Sequence, residues 1–268
     1  MLINMFCSLF LFGTILFQLS FAISPKKGVG ICSSGFMCGD TWKFTGVSWW
    51  YDWRWDQGER QWHQCTNSPR PGYVPMILDE AHANTAIIPS DAKYVLGFNE
   101  PNEGGSASMT PEHAGKIWPL VERKAGNRTL ISPALAGCDI FPDMCIQWYN
   151  RFFNACSNCR VDAIAFHGYH CVPYRMMDAI AQISKQFNRK IWLTEFSCKG
   201  NVSVDDDLNF MKVILPLLER SPYVERYAWF CNRLRNTTAF LPNLSTELED
   251  HNSSNLNRLG QFYNNFHI

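Results

Sequence analysis

Two glutamates in the 268-residue sequence stand where a short apolar run gives way to a loop. They are Glu100 in Gly97-Phe98-Asn99-Glu100-Pro101 and Glu195 in Trp192-Leu193-Thr194-Glu195-Phe196. A carboxylate set among Leu, Thr and Phe is costly to bury unless pairing or function compensates. Two carboxylates facing each other across a cleft suit the cleavage of a glycosidic bond. One, protonated, donates to the leaving oxygen, and the other, ionised, attacks the anomeric carbon. Mutual repulsion and apolar surroundings hold such a pair in different protonation states. Their separation, which a sequence does not supply, decides between retention and inversion.

Other residues gather at similar run ends: Trp49-Trp50-Tyr51-Asp52-Trp53, Phe166-His167-Gly168-Tyr169 and Tyr227-Ala228-Trp229-Phe230. Each has a plainer reading. Glu100 and Glu195 can be capping or salt-bridged carboxylates. Glu103, a rival acid, reads as a solvated loop charge, and Asn99 can be a turn residue before Pro101. His167 and His170 suggest a metal, but on a strand that spacing sends them to opposite faces, so no metal site is expected. The Trp cluster splits by alternation, with some of it core. Glu80 and His82 read as part of a solvated helix.

Eight short apolar runs must position these residues: Gly28–Ile31, Thr45–Tyr51, Tyr73–Leu78, Tyr94–Asn99, Thr129–Pro133, Ala163–Tyr169, Ile191–Phe196 and Tyr227–Phe230. They are near-continuously apolar, as parallel strands covered on both faces are. Pro111–Ala125, with Thr110 as N-cap, reads as a helix, as do Met176–Phe187 and Asp205–Arg220. The link from Cys32 to Phe44 shows no obvious helix. Alternating strands and helices predict a parallel sheet, and eight strands predict closure into a single α/β (β/α)8 TIM barrel. Such a barrel takes roughly 250 residues, so residues 23–268 form one domain. Glu100 falls on the fourth run and Glu195 on the seventh.

Composition bounds the function. Hydrophobic residues make up 46% and the formal net charge is zero, which argues against disorder and against nucleic acid as a partner. Residues 1–22 contain no Asp, Glu, Lys or Arg and read as a secretory signal ending in Ser20-Phe21-Ala22, with a retained anchor as the alternative. Removing Cys7 with that signal leaves ten of eleven cysteines, an even number that predicts disulfides in an exported chain. Five sequons, at Asn127, Asn201, Asn236, Asn243 and Asn252, fit a glycosylated surface. Cys156-x-x-Cys159 has no second pair to complete a zinc site.

The ordered set of strings resembles glycoside hydrolase family 128 from about Lys27 to the C-terminus. It comprises Val47–Trp53, Tyr73–Met76, Leu96–Asn102, Ser132–Ala134, Phe166–Tyr169, Ile191–Phe196 and Tyr223–Phe230. The resemblance implies a retaining barrel hydrolase acting on β-1,3-glucan, with Glu100 as acid/base and Glu195 as nucleophile. It implies that Asn99 bonds the sugar 2-hydroxyl, and that Tyr169 or His167 orients Glu195 or binds sugar hydroxyls. Trp49, Tyr51, Trp53 and Trp229 are expected to offer flat faces to the sugar. Three departures stand out: the first strand lacks a Trp near its end, Asp52 stands where Asn is more usual, and His170-Cys171 follows the sixth run, where the family is variable.

The leading expectation is a secreted, monomeric endo-β-1,3-glucanase without cofactor, with β-glucan as its partner and no membrane contact once the signal is removed. The same mechanism on another β-linked polysaccharide is a second reading. A glucan-binding protein that has lost turnover is a third, and a redox or metal protein using Cys156 and Cys159 a distant fourth. Binding proteins derived from hydrolases usually lose one carboxylate, and both are present here.

Overall fold

The structure, a computed structural model, describes residues 23–57, 64–66, 69–105, 107–237 and 244–267. The expected signal, residues 1–22, and Asn243 lie outside them. Seven parallel strands form one curled sheet in the order β2-β1-β7-β6-β5-β4-β3. They are β1 (Lys27–Gly30), β2 (Trp49–Tyr51), β3 (Tyr94–Val95), β4 (Thr129–Leu135), β5 (Ala163–Gly168), β6 (Ile191–Phe196) and β7 (Val224–Trp229).

The expected third strand is a correction. Residues 73–78 form no ladder, only single parallel bridges, Trp50↔Tyr73 to β2 and Met76↔Leu96 next to β3. Pro75 lies in this segment and has no N–H to give a neighbour. The segment still hydrogen-bonds on both sides: Val74 N donates to Trp50 O, and Leu96 N donates to Pro75 O, each at 2.9 Å. Gly97 lets the chain after β3 run close to β4, because a Cβ there would lie 2.8 Å from the Ile131 carbonyl oxygen.

Seven helices among the described residues are α1 (Asp40–Lys43), α2 (Glu80–Thr85), α3 (Pro111–Ala125), α4 (Pro142–Ala155), α5 (Pro173–Phe187), α6 (Val204–Arg220) and α7 (Arg258–Asn265). From α2 onward each packs against the next in sequence. Thr110 caps α3 as expected, accepting from His113 N, and Ser203 and Asp206 form a capping box on α6. Glu80 and His82 lie on α2, as expected. The Cys32–Phe44 link does hold helical structure, a 3₁₀ turn at Ser33–Gly35 and α1. Buried Asp40 fixes α1 by pairing with Arg233 at 3.0 Å, a long-range contact that local sequence does not announce.

Apolar side chains form two layers. Trp49, Tyr51, Val74, Met76, Leu96, Ile131, Ala163, Ala165, Trp192 and Ala228 fill the inside of the curled sheet. A larger cluster, including Trp118, Tyr149, Phe196, Phe210, Trp229 and Tyr263, lies between the strands and the helices. At the strand N-termini the Arg226 guanidinium sits 4.3 Å from the Tyr94 ring centre and 5.0 Å from that of Trp192. Lys27 is buried and donates to the carbonyls of Tyr263, Asn264 and Phe266, so a cation closes the C-terminal end of α7.

All ten cysteines from Cys32 onward are paired: Cys32–Cys231, Cys38–Cys65, Cys138–Cys145, Cys156–Cys159 and Cys171–Cys198. Cys156 and Cys159 bond to each other, which leaves them no thiolate for zinc. Asn127, Asn201, Asn236 and Asn252 are exposed. No helix among the described residues is long and apolar enough to cross a membrane.

Buried Asp52 has a distinctive environment. Tyr73 Oη lies 2.6 Å from the Arg54 carbonyl oxygen and 2.9 Å from Asp52 Oδ1. One hydroxyl hydrogen is divided between two acceptors, so the phenol offsets only part of the cost of burying charge on Asp52. Burial pushes its pKa up to about 7. A raised folded pKa gives a contribution that is whole below the unfolded value and lost as pH rises through the folded one. Asp52→Asn is therefore expected to melt close to the parent at pH 4 and above it at pH 8. Thermal unfolding at both values checks this, and a variant less stable at pH 8 contradicts it.

Candidate active site

The C-terminal ends of β5 and β6 and the turn after β3 bring three ionisable side chains together. His167 Nδ1 lies 2.7 Å from Glu100 Oε1 and 3.3 Å from Glu195 Oε2. One oxygen of each carboxylate and a His167 ring nitrogen all lie within 4.8 Å of one another. Backbone irregularities achieve this. In β5–β6 pairing the register slips after Phe166↔Leu193, so that His167 pairs with Glu195 and Thr194 is passed over. Trp192 points inward, and plain alternation would have turned Thr194 inward and Glu195 out. The bulge re-aims Glu195, and the Tyr51 hydroxyl pins it by donating to the Thr194 carbonyl at 2.9 Å. Glu100 has φ 44°, a left-handed backbone that costs energy in a non-glycine residue, and Trp53 likewise has φ 59°.

Glu195 is buried, and both its oxygens accept hydrogen bonds. Trp53 Nε1 donates to Oε1 at 2.7 Å, and the Tyr169 hydroxyl donates to Oε2. Burial and the nearby Glu195 charge keep the Tyr169 phenol protonated, so it stays a donor. Burial raises the Glu195 carboxyl, and the Glu100 charge adds to this against the pull of His167 and the two donors. Burial pushes Glu100 up as well, but the hydrogen bond and charge of His167 outweigh it and leave the group below its ordinary value. Burial works against charge on His167, and the two carboxylates overcome it, so its pKa is raised. The surroundings thus favour the charged forms of His167 and Glu100 and disfavour charge on Glu195.

An open cavity of about 670 Å³ lies above the carboxylates. Trp53, Asn99, Glu100, Tyr169, Glu195 and Phe230 line it, with Asp139, His170 and Lys199 toward one side. That volume is of the size that buries a small ligand. Asn99 reaches the cavity with Oδ1 unpartnered by protein. His167 is close to both carboxylates but fully buried, so it contacts them and not the cavity. His170 belongs to the cavity rim and pairs with Asp139, and Glu103 lines the rim without joining the triad.

Three of the expected sugar-facing rings are elsewhere. Trp49 is buried inside the sheet near the strand N-termini, its Nε1 donating to Lys26 O. Tyr51 is fully buried one step above it. Trp229 points outward into the helix layer and donates to Thr246 O. Phe230 lines the cavity instead. Ala228 faces inward, so period-two alternation turns Trp229 out and Phe230 in, a signal present in the sequence.

Glu100, His167 and Glu195 are a possible metal triad by residue type. Both Glu195 oxygens already accept protein donors, however, and His167 Nδ1 sits in hydrogen-bonding reach of Glu100. Chelation by EDTA is expected to leave turnover unchanged, and loss restored by a divalent ion would contradict this.

The profile of the glycosyl hydrolase catalytic core family matches residues 30–263. A subgroup II endo-β-1,3-glucanase of glycoside hydrolase family 128 from Sorangium cellulosum is 28% identical, with a TM-score of 0.70 over 90% of this chain and 98% of that one. A subgroup I endo-β-1,3-glucanase variant from Amycolatopsis mediterranei, solved with laminarihexaose, is 25% identical, with a TM-score of 0.69 over 90% and 99%. Alkali-sensitive linkage protein 1 of Schizosaccharomyces pombe is 28% identical over 225 residues, 78% of this chain but only 39% of that protein.

Proposed function

The chain belongs to the glycosyl hydrolase catalytic core family, glycoside hydrolase family 128, and from that premise we propose that it is a secreted, retaining endo-β-1,3-glucanase. The observation that carries the reading is the carboxylate pair, with oxygens within 4.8 Å at the base of an open cavity. Retaining enzymes hold their two carboxyl groups roughly 5–5.5 Å apart, whereas inverting ones leave room for a water. We read the bridged segment 73–78 as the remaining stave of an eight-stranded (β/α)8 barrel, which puts Glu100 after the fourth stave and Glu195 on the seventh. Five disulfides and exposed sequons support export, and the two relatives solved as β-1,3-glucanases support the substrate.

The mechanism assigns the roles. Glu195, fixed by Trp53 and Tyr169 donors that favour its anion, attacks the anomeric carbon. His167 Nδ1, 2.7 Å from Glu100 Oε1, is placed to hold the acid proton and pass it across. Sugar filling the cavity strips water from Glu100, whose side chain is 30% exposed. Loss of that water disfavours the charged pair, and the proton crosses to Glu100. Glu100 gives it to the leaving oxygen, then takes one from the water that hydrolyses the glycosyl-enzyme. Asn99 offers a hydrogen bond to the sugar 2-hydroxyl, a contact that strengthens in the transition state. Trp53, its N–H committed to Glu195, and Phe230 present ring surface to the sugar.

Purified protein is expected to release oligosaccharides from β-1,3-glucan, with products of β-configuration, and not from β-1,4-glucan or chitin. Retention is read by proton NMR during early turnover. α-Configured products would remove the double-displacement reading, and cleavage confined to another linkage would remove the substrate.

A further inference from the structure

The connection between β5 and α5 is short, residues 169–172, and it carries Tyr169, whose hydroxyl donates to Glu195 Oε2. Ladder pairing stops before it, since the last pair between β5 and β6 is Gly168↔Phe196. The helix that follows does little to fix its far end: α5 starts at Pro173 with no side-chain cap from Val172. A connection lacking such ties belongs to the mobile part of a fold. Tyr169 is nevertheless buried and on its target, so contacts outside the ladder hold it.

Three ties do so. His170 N donates to Asp139 Oδ2 at 2.9 Å, Lys199 N donates to Tyr169 O at 2.8 Å, and Cys171 is bonded to Cys198. The covalent tie has two unlike ends. Cys198 follows closely on Glu195 and is fully buried, and its N–H donates to Asp207 in the first turn of α6 at 3.3 Å. Cys171 follows closely on Tyr169 and is exposed. One jaw is thus fixed in the core and to a helix, and the other grips a surface connection. Neither cysteine lines the cavity above the carboxylates, so the bond can reach the chemistry only through the residues beside it.

We propose that the Cys171–Cys198 bond is a positioning clamp for Glu195, holding the β5–α5 connection against the end of β6 so that the Tyr169 hydroxyl stays on Oε2. This rests on the reading of Glu195 as nucleophile. Glu195 faces Glu100, His167, the Tyr51 and Tyr169 phenols and the Trp53 N–H. His167 stands on the ladder itself, Tyr51 and Trp53 come from β2 and the turn after it, and Glu100 comes from the turn after β3. Only Tyr169 lies on the clamped connection. Its donation favours the Glu195 anion and works against the rise that burial imposes. With the clamp open that donor is held less well, and the carboxyl rises further.

The test compares two double variants. Cys171→Ala, Cys198→Ala opens the clamp. Cys38→Ala, Cys65→Ala removes a bridge of the same span, 27 residues in each case, so both lose the same chain-entropy stabilisation. On β-1,3-glucan the first is expected to lose kcat on the order of 10–10²-fold with KM changed by about twofold at most, as a misplaced catalytic group does. The acid limb of its kcat/KM profile, which reports ionisation of Glu195, should move to higher pH. The second should leave that limb in place. Tyr169→Phe should lower kcat in the parent and add little in the clamp-free background, because both changes remove one contact. Where the clamp-free variant does not fold, dithiothreitol on the folded Cys38, Cys65 variant opens the bridge instead. There Cys171 is the one exposed cysteine among the described residues. Its bond is reduced to two thiols as the dithiol closes to a cyclic disulfide, and alkylation read by mass spectrometry verifies the site. An unmoved acid limb, or a Tyr169→Phe cost as large without the clamp as with it, overturns the proposal while the enzyme stands. If the parent itself cleaves no β-1,3-glucan, the glucanase reading falls and takes the clamp with it.

Discussion

Glu195→Gln is expected to lose turnover on every substrate, on the order of 10⁵-fold, because no glycosyl-enzyme forms without the nucleophile. Glu100→Gln should behave differently. On polysaccharide, whose leaving group needs a proton, the loss should be on the order of 10²–10⁴. On an aryl glycoside with a good leaving group the first step should be largely spared, and the glycosyl-enzyme should accumulate because water lacks its base. Azide should then restore turnover to Glu100→Gln with a β-glycosyl azide as product, since a small anion needs no base. On Glu195→Gln azide should instead give the α-azide. The partial exposure of Glu100 toward the cavity leaves room for the anion there. If the two variants respond alike to leaving group and azide, the roles are wrongly assigned.

His167→Asn has the second-largest expected effect, and its signature is in the pH profile. The parent's alkaline limb reports loss of the one proton shared by Glu100, His167 and Glu195. Both carboxylates raise the His167 pKa above its ordinary 6.5, so that limb should lie above pH 6.5. With Asn in its place the proton can reside only on a carboxyl of the pair. The limb then reports the pair's upper ionisation, as in coupled carboxylate dyads, and should move to lower pH. Maximal kcat should fall by about 10²-fold as the orienting contact to both carboxylates is lost. A fall in kcat with an unmoved alkaline limb would mean that His167 only positions Glu100 and holds no catalytic proton.

Much of this candidate site is legible in the sequence, and the rest is hidden for identifiable physical reasons. Glu100 and Glu195 stand out because carboxylates at the ends of apolar runs are conspicuous. The inward turn of Glu195 was hidden, because it depends on a bulge at Thr194 that period-two alternation does not foresee. Trp49, Tyr51 and Trp229 were misjudged as sugar platforms for a different reason. Ring chemistry suits both stacking and packing, and only depth along the strand separates the two. The inward position of Ala228 would have exchanged Trp229 for Phe230. The third run failed as a ladder strand at Pro75, while α1 was missed because its anchor, Arg233, lies almost two hundred residues away in sequence.

The absence of a Trp on β1 is answered by β2. A Cβ on Gly28 would run into the Trp49 ring, and one on Gly30 would lie 2.8 Å from Trp53 Cη2. Aromatic volume that one strand does not provide is provided by its neighbour, leaning across the bare backbone. This makes the two strands historically contingent on each other. A side chain gained first at Gly30 would displace Trp53 and break its bond to Glu195, while a smaller residue gained first at Trp53 would abandon that bond outright. Directed evolution by stepwise mutation should therefore leave the Gly30–Trp53 pair untouched, while recombination that exchanges β1 and β2 together should be able to replace it.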